Sequence, residues 1–323
     1  MKHLNELTEG DRISEIYLCK KASRLTTKNG KEYMSLTLMD KTANADAKIW
    51  DPDSDGIGDF DELDYIYVSG DVTVFNGAIQ VNIRRLRKAD DGEYDPAEYL
   101  PMSPYDNEGM YTQLKNVTET VKNPYLNSLL KSFFLEDEAF IEAFRKCSAA
   151  KTVHHGFVGG LMQHTLAVTR LCKFYTKAYP VLDHDLLISA ALLHDIGKIR
   201  ELSRFPENDY TDDGQLLGHI YMGCEMISEH AKEIENFPSK LLSELQHCIL
   251  AHHGELEFGS PKTPELIEAM ALHMADNTDA KLETFKEATD GKEADKWLGM
   301  IRPLGGNIRR TSVWTETDGD KTT

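Results

Sequence analysis

From Asp11 to Leu86 apolar and polar residues alternate, and beyond residue 107 the apolar positions recur every three to four residues instead. The first spacing belongs to half-buried strands and the second to amphipathic helices, so a β unit is predicted to precede a helical one. Five strands are expected at about 11–24, 32–39, 44–50, 65–75 and 78–86. Asn29-Gly30 and Asn76-Gly77 supply the positive φ that tight hairpin turns need. The inner face is read as Met34, Leu36, Leu38, Ala45, Ala47, Ile49, Ile66, Val68, Val72, Val74, Ile79, Val81 and Ile83. Helices are expected at about 108–122, 125–134, 137–147, 160–179, 184–196, 216–235, 238–253 and 263–290. Between the two periods, residues 91–107 hold Pro96, Pro101 and Pro104 and read as a linker, and residues 305–323 read as a frayed polar tail. The domains are accordingly drawn at 1–90 and 108–304.

The strand pattern leaves Tyr33, Lys48, Trp50, Tyr67, Phe75 and Arg84 on the outer face, beside polar neighbours such as Asp46, Gln80 and Asn82. Five short strands with an insertion after the third resemble an OB-fold, a small barrel that binds oligonucleotides on one face. Aromatic and basic side chains interleaved on a polar face suit the stacking of unpaired bases. The competing reading is that these aromatics pack under the linker or against the helical unit.

Charge modifies this picture. The net charge of -18 argues at first against a nucleic-acid partner. Residues 1–90, however, carry 13 Lys and Arg against 16 Asp and Glu, and seven of those acids lie in the single stretch 51–64; without it the balance is 13 against 9. Within it, residues 51–62, DPDSDGIGDFDE, match a calcium-loop pattern through Asp51, Asp53, Asp55, Gly56 and Glu62. It follows a strand, has Pro52 in second place and Gly58 where an apolar anchor belongs, so it reads as an acidic barrel loop. The five cysteines are odd in number and without a CxxC, which suggests a reduced, cytoplasmic setting rather than a disulfide framework. The start of the chain has no apolar signal region, and no apolar run approaches the length of a membrane span.

The candidate chemistry centres on Leu192-Leu193-His194-Asp195-Ile196-Gly197-Lys198. Residues 187–195 are apolar nearly all round, the mark of a buried helix, and they end on a His and an Asp. An ionised carboxylate there needs a cation or a charged partner. Further His and Asp residues stand at helical phase: His164, His219, His252, His253 and Asp276. Imidazole and carboxylate without thiolate suit Mn, Fe, Zn or Mg. The simpler alternative is a satisfied buried His-Asp hydrogen bond. The order H…HD…H…HH…D resembles the HD-domain phosphohydrolases, which are all-helical metalloenzymes. The resemblance implies one ion on His164, His194, Asp195 and Asp276 and a second on Asp195, His219, His252 and His253.

An OB-like barrel joined to such a domain, with the run HHGFVGGLMQHT at 154–165, resembles the YhaM family of 3′-to-5′ exoribonucleases. The resemblance spans residues 1 to about 300. It implies metal-dependent, preferably Mn²⁺-dependent, shortening of single-stranded RNA, with single-stranded DNA as a second substrate. It is compatible with one ion or two, and with a homo-oligomer. Lys198 is placed to meet the phosphate, against the alternative of a solvated lysine; His154 and His155 are candidates for phosphate contact, and His273 for support of a ligand. Two alternatives rest on part of the same features: an HD phosphohydrolase of small nucleotides or cyclic dinucleotides, and a non-enzymatic single-strand-binding protein.

Overall fold

The period-two segment forms β1 (Arg12–Thr26), β2 (Glu32–Met39), β3 (Asn44–Ile49), β4 (Tyr65–Phe75) and β5 (Ala78–Lys88) in a computed structural model that describes residues 1–151 and 155–312. The strands close into a barrel in the order β1-β2-β3-β5-β4, with β4 returning to β1 and only β3 and β5 pairing in parallel. That is the architecture of an OB-fold. Ile13, Tyr17, Leu36, Leu38, Ala47, Ile49, Ile66, Val68, Val72, Val81 and Ile83 fill its core, as the alternation requires. Val74 is an exception: it lies at the hairpin tip, where the barrel wall has ended, and is exposed. Of the two predicted tight turns, Asn76 (φ 49) and Gly77 (φ 79) make one as expected. At the other only Gly30 takes positive φ, because the loop is longer and closed by Thr27 N–H donating to Lys31 O at 2.8 Å.

The acidic loop after β3 lies along β5, with the Gly58 N–H donating to Leu86 O (2.8 Å) and the Leu86 N–H to Gly56 O (2.9 Å). Its acids meet protein partners: Asp53 pairs with Arg24 at 3.0 Å, and Glu62 accepts from the Ala22 N–H at 2.8 Å. The predicted linker is largely part of the barrel unit, which comprises Met1–Pro104 together with Ser203–Asp209. Tyr94 stacks on Tyr65 with centroids 3.9 Å apart, and Tyr99 and Leu100 are buried. Proline there shapes a packed strap rather than a free tether.

The second unit holds the remaining described chain. Its helices are α1 (Asn107–Thr118), α2 (Pro124–Lys131), α3 (Glu138–Lys146), α4 (Gly160–Ala178), α5 (His184–Leu193), α6 (Lys198–Glu201), α7 (Asp212–Lys232), α8 (Ser239–Leu250) and α9 (Ile267–Thr289). Asp106, Asn123, Asp137, Asp183 and Thr211 cap five of these, each accepting from first-turn N–H groups. The Thr211 cap starts α7 four residues before the predicted position. The buried stripe of α5 packs among α2, α4, α8 and α9, which explains its lack of a polar face. A hairpin of β6 (Trp297–Ile301) and β7 (Gly306–Arg309) stands where sequence periodicity predicted the end of the helical domain and the start of a frayed tail. Residues 313–323 of that tail lie outside the described residues. All five cysteines are free, and no described helix is long and apolar enough to cross a membrane.

Candidate metal centre

Five elements of the helical unit bring donors together beside a cavity of about 360 Å³, whose lining includes His164, Asp195, Lys198, His253 and Asp276. His164 comes from the buried first turns of α4, and Asp276 from the middle of α9. His194 caps the C-terminus of α5 and Asp195 follows it in the corner before α6. His219 sits in α7 one residue after Gly218, whose φ of 75° and ψ of 155° break the helix there. That break frees the His219 N–H to donate to Glu201 Oε1 at 3.0 Å. A side chain at this φ would be strained, so glycine is what permits the corner. His252 and His253 lie in the turn after α8, which ends at Leu250 rather than at His253 as the periodicity suggested.

The contacts sort into two groups around Asp195. On one side Asp195 Oδ2 lies 3.5 Å from His164 Nε2 and 3.4 Å from His194 Nε2. His164 Nε2 is also 3.1 Å from Asp276 Oδ1 and 3.2 Å from His194 Nε2. On the other side Asp195 Oδ1 lies 3.5 Å from His219 Nε2 and 3.6 Å from His252 Nε2. His253 completes a second triad, its ring 4.3 Å from His252 and 5.2 Å from His219. The sets His164, His194, Asp276 and His219, His252, His253 each bring their donor atoms within 4.8 Å of one another.

Hydrogen bonds behind the rings determine what faces the centre. His194 Nδ1 donates to Ala191 O (2.9 Å) and His252 Nδ1 to Ile249 O (2.7 Å); a carbonyl can only accept, so the proton is on Nδ1 and Nε2 is bare. His164 Nδ1 meets Asp279 Oδ2 at 2.7 Å and His219 Nδ1 meets Glu201 Oε1 at 2.9 Å, which places Nε2 inward in the same sense. Asp195 Oδ1, His219 Nε2 and His252 Nε2 are then buried, close together, and without a hydrogen-bond partner among the described residues. Lone pairs facing one another in a low-dielectric site repel, and a divalent cation with nitrogen and oxygen ligands is the species that fits them. The carboxylate-backed and carbonyl-backed rings follow the usual second layer of metal-bound histidines.

Charge shifts agree with this geometry. Burial alone would lower the His164 pKa, but its bonds to Asp276 and Asp279 raise it to about 10, so the carboxylates hold a proton where a cation would otherwise sit. Asp195 is buried, yet Lys198 and His194 hold its carboxyl well below the usual range. Burial, with His253 and His194 adding to it, keeps His252 well below the usual histidine value and therefore neutral. Lys198 stands on the cavity wall with Nζ 2.7 Å from Asp195 Oδ2, and that carboxylate holds its pKa up against burial. Its charge is directed at Asp195 as well as into the cavity.

Other predicted residues lie elsewhere. His155 is 1% exposed and turned away from the cavity wall, with Nε2 3.0 Å from Asp279 Oδ2, so the structure gives it a place behind His164 rather than against a phosphate. His154 lies outside the described residues. His273 donates from Nδ1 to His252 O at 2.9 Å and supports the turn that carries the histidine pair. Sequence reading missed Asp279 and Glu201. The available signal for Asp279 was its position one turn after Asp276 on the same helix face.

On the barrel, Tyr33 stacks on Trp50 at 5.1 Å, and Trp50 Nε1 donates to Asn82 Oδ1 at 2.8 Å while the residue stays 46% exposed. Lys48 Nζ bonds Ser35 (2.7 Å) and Asp46 (2.8 Å), and Arg84 pairs with Asp71. A groove runs past Trp50, Ser54, Asp71, Thr73, Asn82 and Arg84. Phe75 extends the outer face to the hairpin tip, strongly exposed. Tyr67 does not join them: it lies beyond the bulge at Ser69/Gly70, paired with Arg87, whose guanidinium covers its ring at 5.1 Å.

A family model described as HD domain matches residues 161–281, the span that carries these metal-ligand candidates. The chain is 35% identical over 299 residues to the 3′-5′ exoribonuclease YhaM of Shouchella clausii (strain KSM-K16), covering 91% of this chain and 92% of that protein. Among solved structures, the second OB-fold domain of replication protein A from Methanococcus maripaludis is similar to 29% of this chain and covers 98% of its own, at 16% identity and a TM-score of 0.23. The mitochondrial single-stranded DNA binding protein Rim1 of S. cerevisiae is similar to 26% of this chain over its whole length, at 10% identity and a TM-score of 0.22. The barrel's topology is read from its own strand order. With 35% identity across nine-tenths of both sequences, and both halves present, the chain belongs to the YhaM family.

Proposed function

We propose that this chain is a metal-dependent 3′-to-5′ exoribonuclease that shortens single-stranded RNA to nucleoside monophosphates in the cytoplasm, with Mn²⁺ as its ion and single-stranded DNA as a second substrate. The observation that carries the metal chemistry is the convergence of four histidines on the two oxygens of Asp195, with the buried atoms Asp195 Oδ1, His219 Nε2 and His252 Nε2 unpartnered among the described residues. The name of the relative carries the direction of attack.

One ion would be held by His164, His194, Asp195 and Asp276, and a second by Asp195, His219, His252 and His253. When bound, such ions supply Lewis acidity toward a phosphodiester and an acidified water. The chain's own part is positional. Asp195 offers one oxygen to each side, the carbonyls behind His194 and His252 keep the Nδ1 proton and point Nε2 inward, the carboxylates behind His164 and His219 orient those rings in the same way, and α5 behind them is apolar and buried. Lys198 holds Asp195 and keeps a positive charge on the wall where a phosphate would enter. A cavity of about 360 Å³ lies at the small end of ligand sites and suits one terminal nucleotide. Tyr33, Lys48, Trp50, Phe75 and Arg84 of the barrel would hold the strand upstream by stacking and charge.

The test is product analysis on single-stranded RNA with Mn²⁺. A 5′-labelled oligonucleotide should shorten to a ladder, and a 3′-labelled one should release labelled mononucleotide from the first time point. Circular RNA cut at a comparable rate would show an endonuclease and overturn the assignment.

A further inference from the structure

We infer that Asp279, backed by His155, is the positioning residue that fixes His164 toward the first ion; the inference rests on the metal-centre reading above. Asp276 and Asp279 lie one turn apart on α9 and grip opposite edges of the same imidazole. Asp276 Oδ1 is 3.1 Å from His164 Nε2, and Asp279 Oδ2 is 2.7 Å from Nδ1. A carboxylate on Nδ1 keeps a proton there, so that Nε2 is the nitrogen an ion would take, and makes the ring a stronger ligand.

The same oxygen of Asp279 takes a second ring, His155 Nε2, at 3.0 Å. His155 adopts φ 62°, a conformation uncommon for a residue with a Cβ, and its ring is buried with Nδ1 lacking a partner among the described residues. Its backbone is fixed by the Ala149 N–H, which donates to His155 O at 3.0 Å. The same carbonyl packs so closely on Gly160 that any Cβ there would collide with it. A strained, buried histidine whose ring reaches Asp279 is placed as a tether for that carboxylate. The second site has a comparable brace: Glu201 Oε1 accepts both from His219 Nδ1 (2.9 Å) and from the His219 backbone N–H (3.0 Å). Each proposed ion thus has one carboxylate-backed histidine, and in each case the backing oxygen is itself held by a second donor.

The deciding measurement is Mn²⁺ titration of the full chain by calorimetry and electron paramagnetic resonance, with thermal unfolding as a check on folding. The wild type should bind two ions. Asp279→Ala should weaken one of them about 10- to 100-fold and leave the other unchanged, the usual loss when an outer partner of a metal-bound histidine is removed. Asp279→Asn keeps an acceptor without the charge and should fall between. In His155→Asn the new residue tolerates the left-handed backbone, so the same ion should weaken by less than in Asp279→Ala, with no fall in melting temperature. Unchanged affinity in Asp279→Ala, or equal weakening of both ions, overturns the inference; if that variant does not fold, unchanged affinity in Asp279→Asn does so. Two wild-type ions with an unaffected Asp279 variant would leave the metal-centre reading standing, whereas a wild type that binds no Mn²⁺ overturns both.

Discussion

Asp195 is the residue on which both halves of the cluster depend, since His164 and His194 approach one oxygen while His219 and His252 approach the other. Asp195→Ala is therefore expected to abolish Mn²⁺ binding and hydrolysis together, while single-stranded RNA binding measured by anisotropy stays within about twofold. His164 adds a pH dependence. In the metal-free protein its pKa is raised to about 10, against an unperturbed value near 6.5, so it is protonated throughout the neutral range. An ion that takes Nε2 must displace that proton, and Mn²⁺ affinity should rise about tenfold per pH unit between pH 7 and 9. Calorimetry in buffers of different ionisation enthalpy should count about one proton released per first ion bound; none released would contradict the assignment. At this scale the ligand candidates were legible because helical phase places His164 and Asp276 inward. Glu201 was not, since it meets His219 across 18 residues that no local pattern encodes, and Asp279, 115 residues from His164, was marked only by its place one turn after Asp276.

At the level of elements, two irregularities place donors that regular structure could not. Gly218 breaks α7 so that the next residue turns both its N–H and its ring to Glu201. Gly218→Ala should be destabilising by about 1–3 kcal/mol, because φ 75° with ψ 155° is a backbone region essentially confined to glycine, with a fall in melting temperature and a weakened second ion. Equal stability would mean that α7 can straighten without consequence. On the barrel, Trp50 keeps one face against Tyr33 and is still 46% exposed. Trp50→Ala should weaken RNA binding by about 5- to 150-fold, equivalent to one lost stack of about 1–3 kcal/mol, and leave hydrolysis of a minimal phosphodiester unchanged. An unfolded barrel, or equal loss on short and long substrates, would make the tryptophan structural. Arg84 is paired with Asp71, so Arg84→Ala should flatten the salt dependence of binding by less than the roughly 0.7 of a counterion that a single-strand phosphate contact releases. Strand and helix positions were readable from periodicity and turn dipeptides. The β6–β7 hairpin was not, because Gly299 and Gly305 interrupt a segment too short to show either period.

For the whole molecule, a net charge of -18 has to be reconciled with an anionic polymer as substrate. Seven of the acids of residues 1–90 sit in the loop 51–64, where Asp53 and Glu62 are engaged by the barrel itself. Most of the remaining excess belongs to the helical unit, where it favours cations at a site already rich in carboxylates. Ion binding should stabilise that unit by about 2.7 kcal/mol at a hundredfold excess over Kd, so excess chelator should lower its melting temperature. The two-unit division was legible from the change of period near residue 107, but the packing of Tyr94 and Tyr99 onto Tyr65 was hidden by three prolines that read as a tether. The most direct test of a metal-dependent exoribonuclease built on Asp195 is the length distribution of a 5′-labelled single-stranded RNA incubated with Mn²⁺ and the wild-type or Asp195→Ala protein. A ladder from the wild type that vanishes in the variant and in excess chelator is the predicted result, and a ladder that persists in either would contradict it.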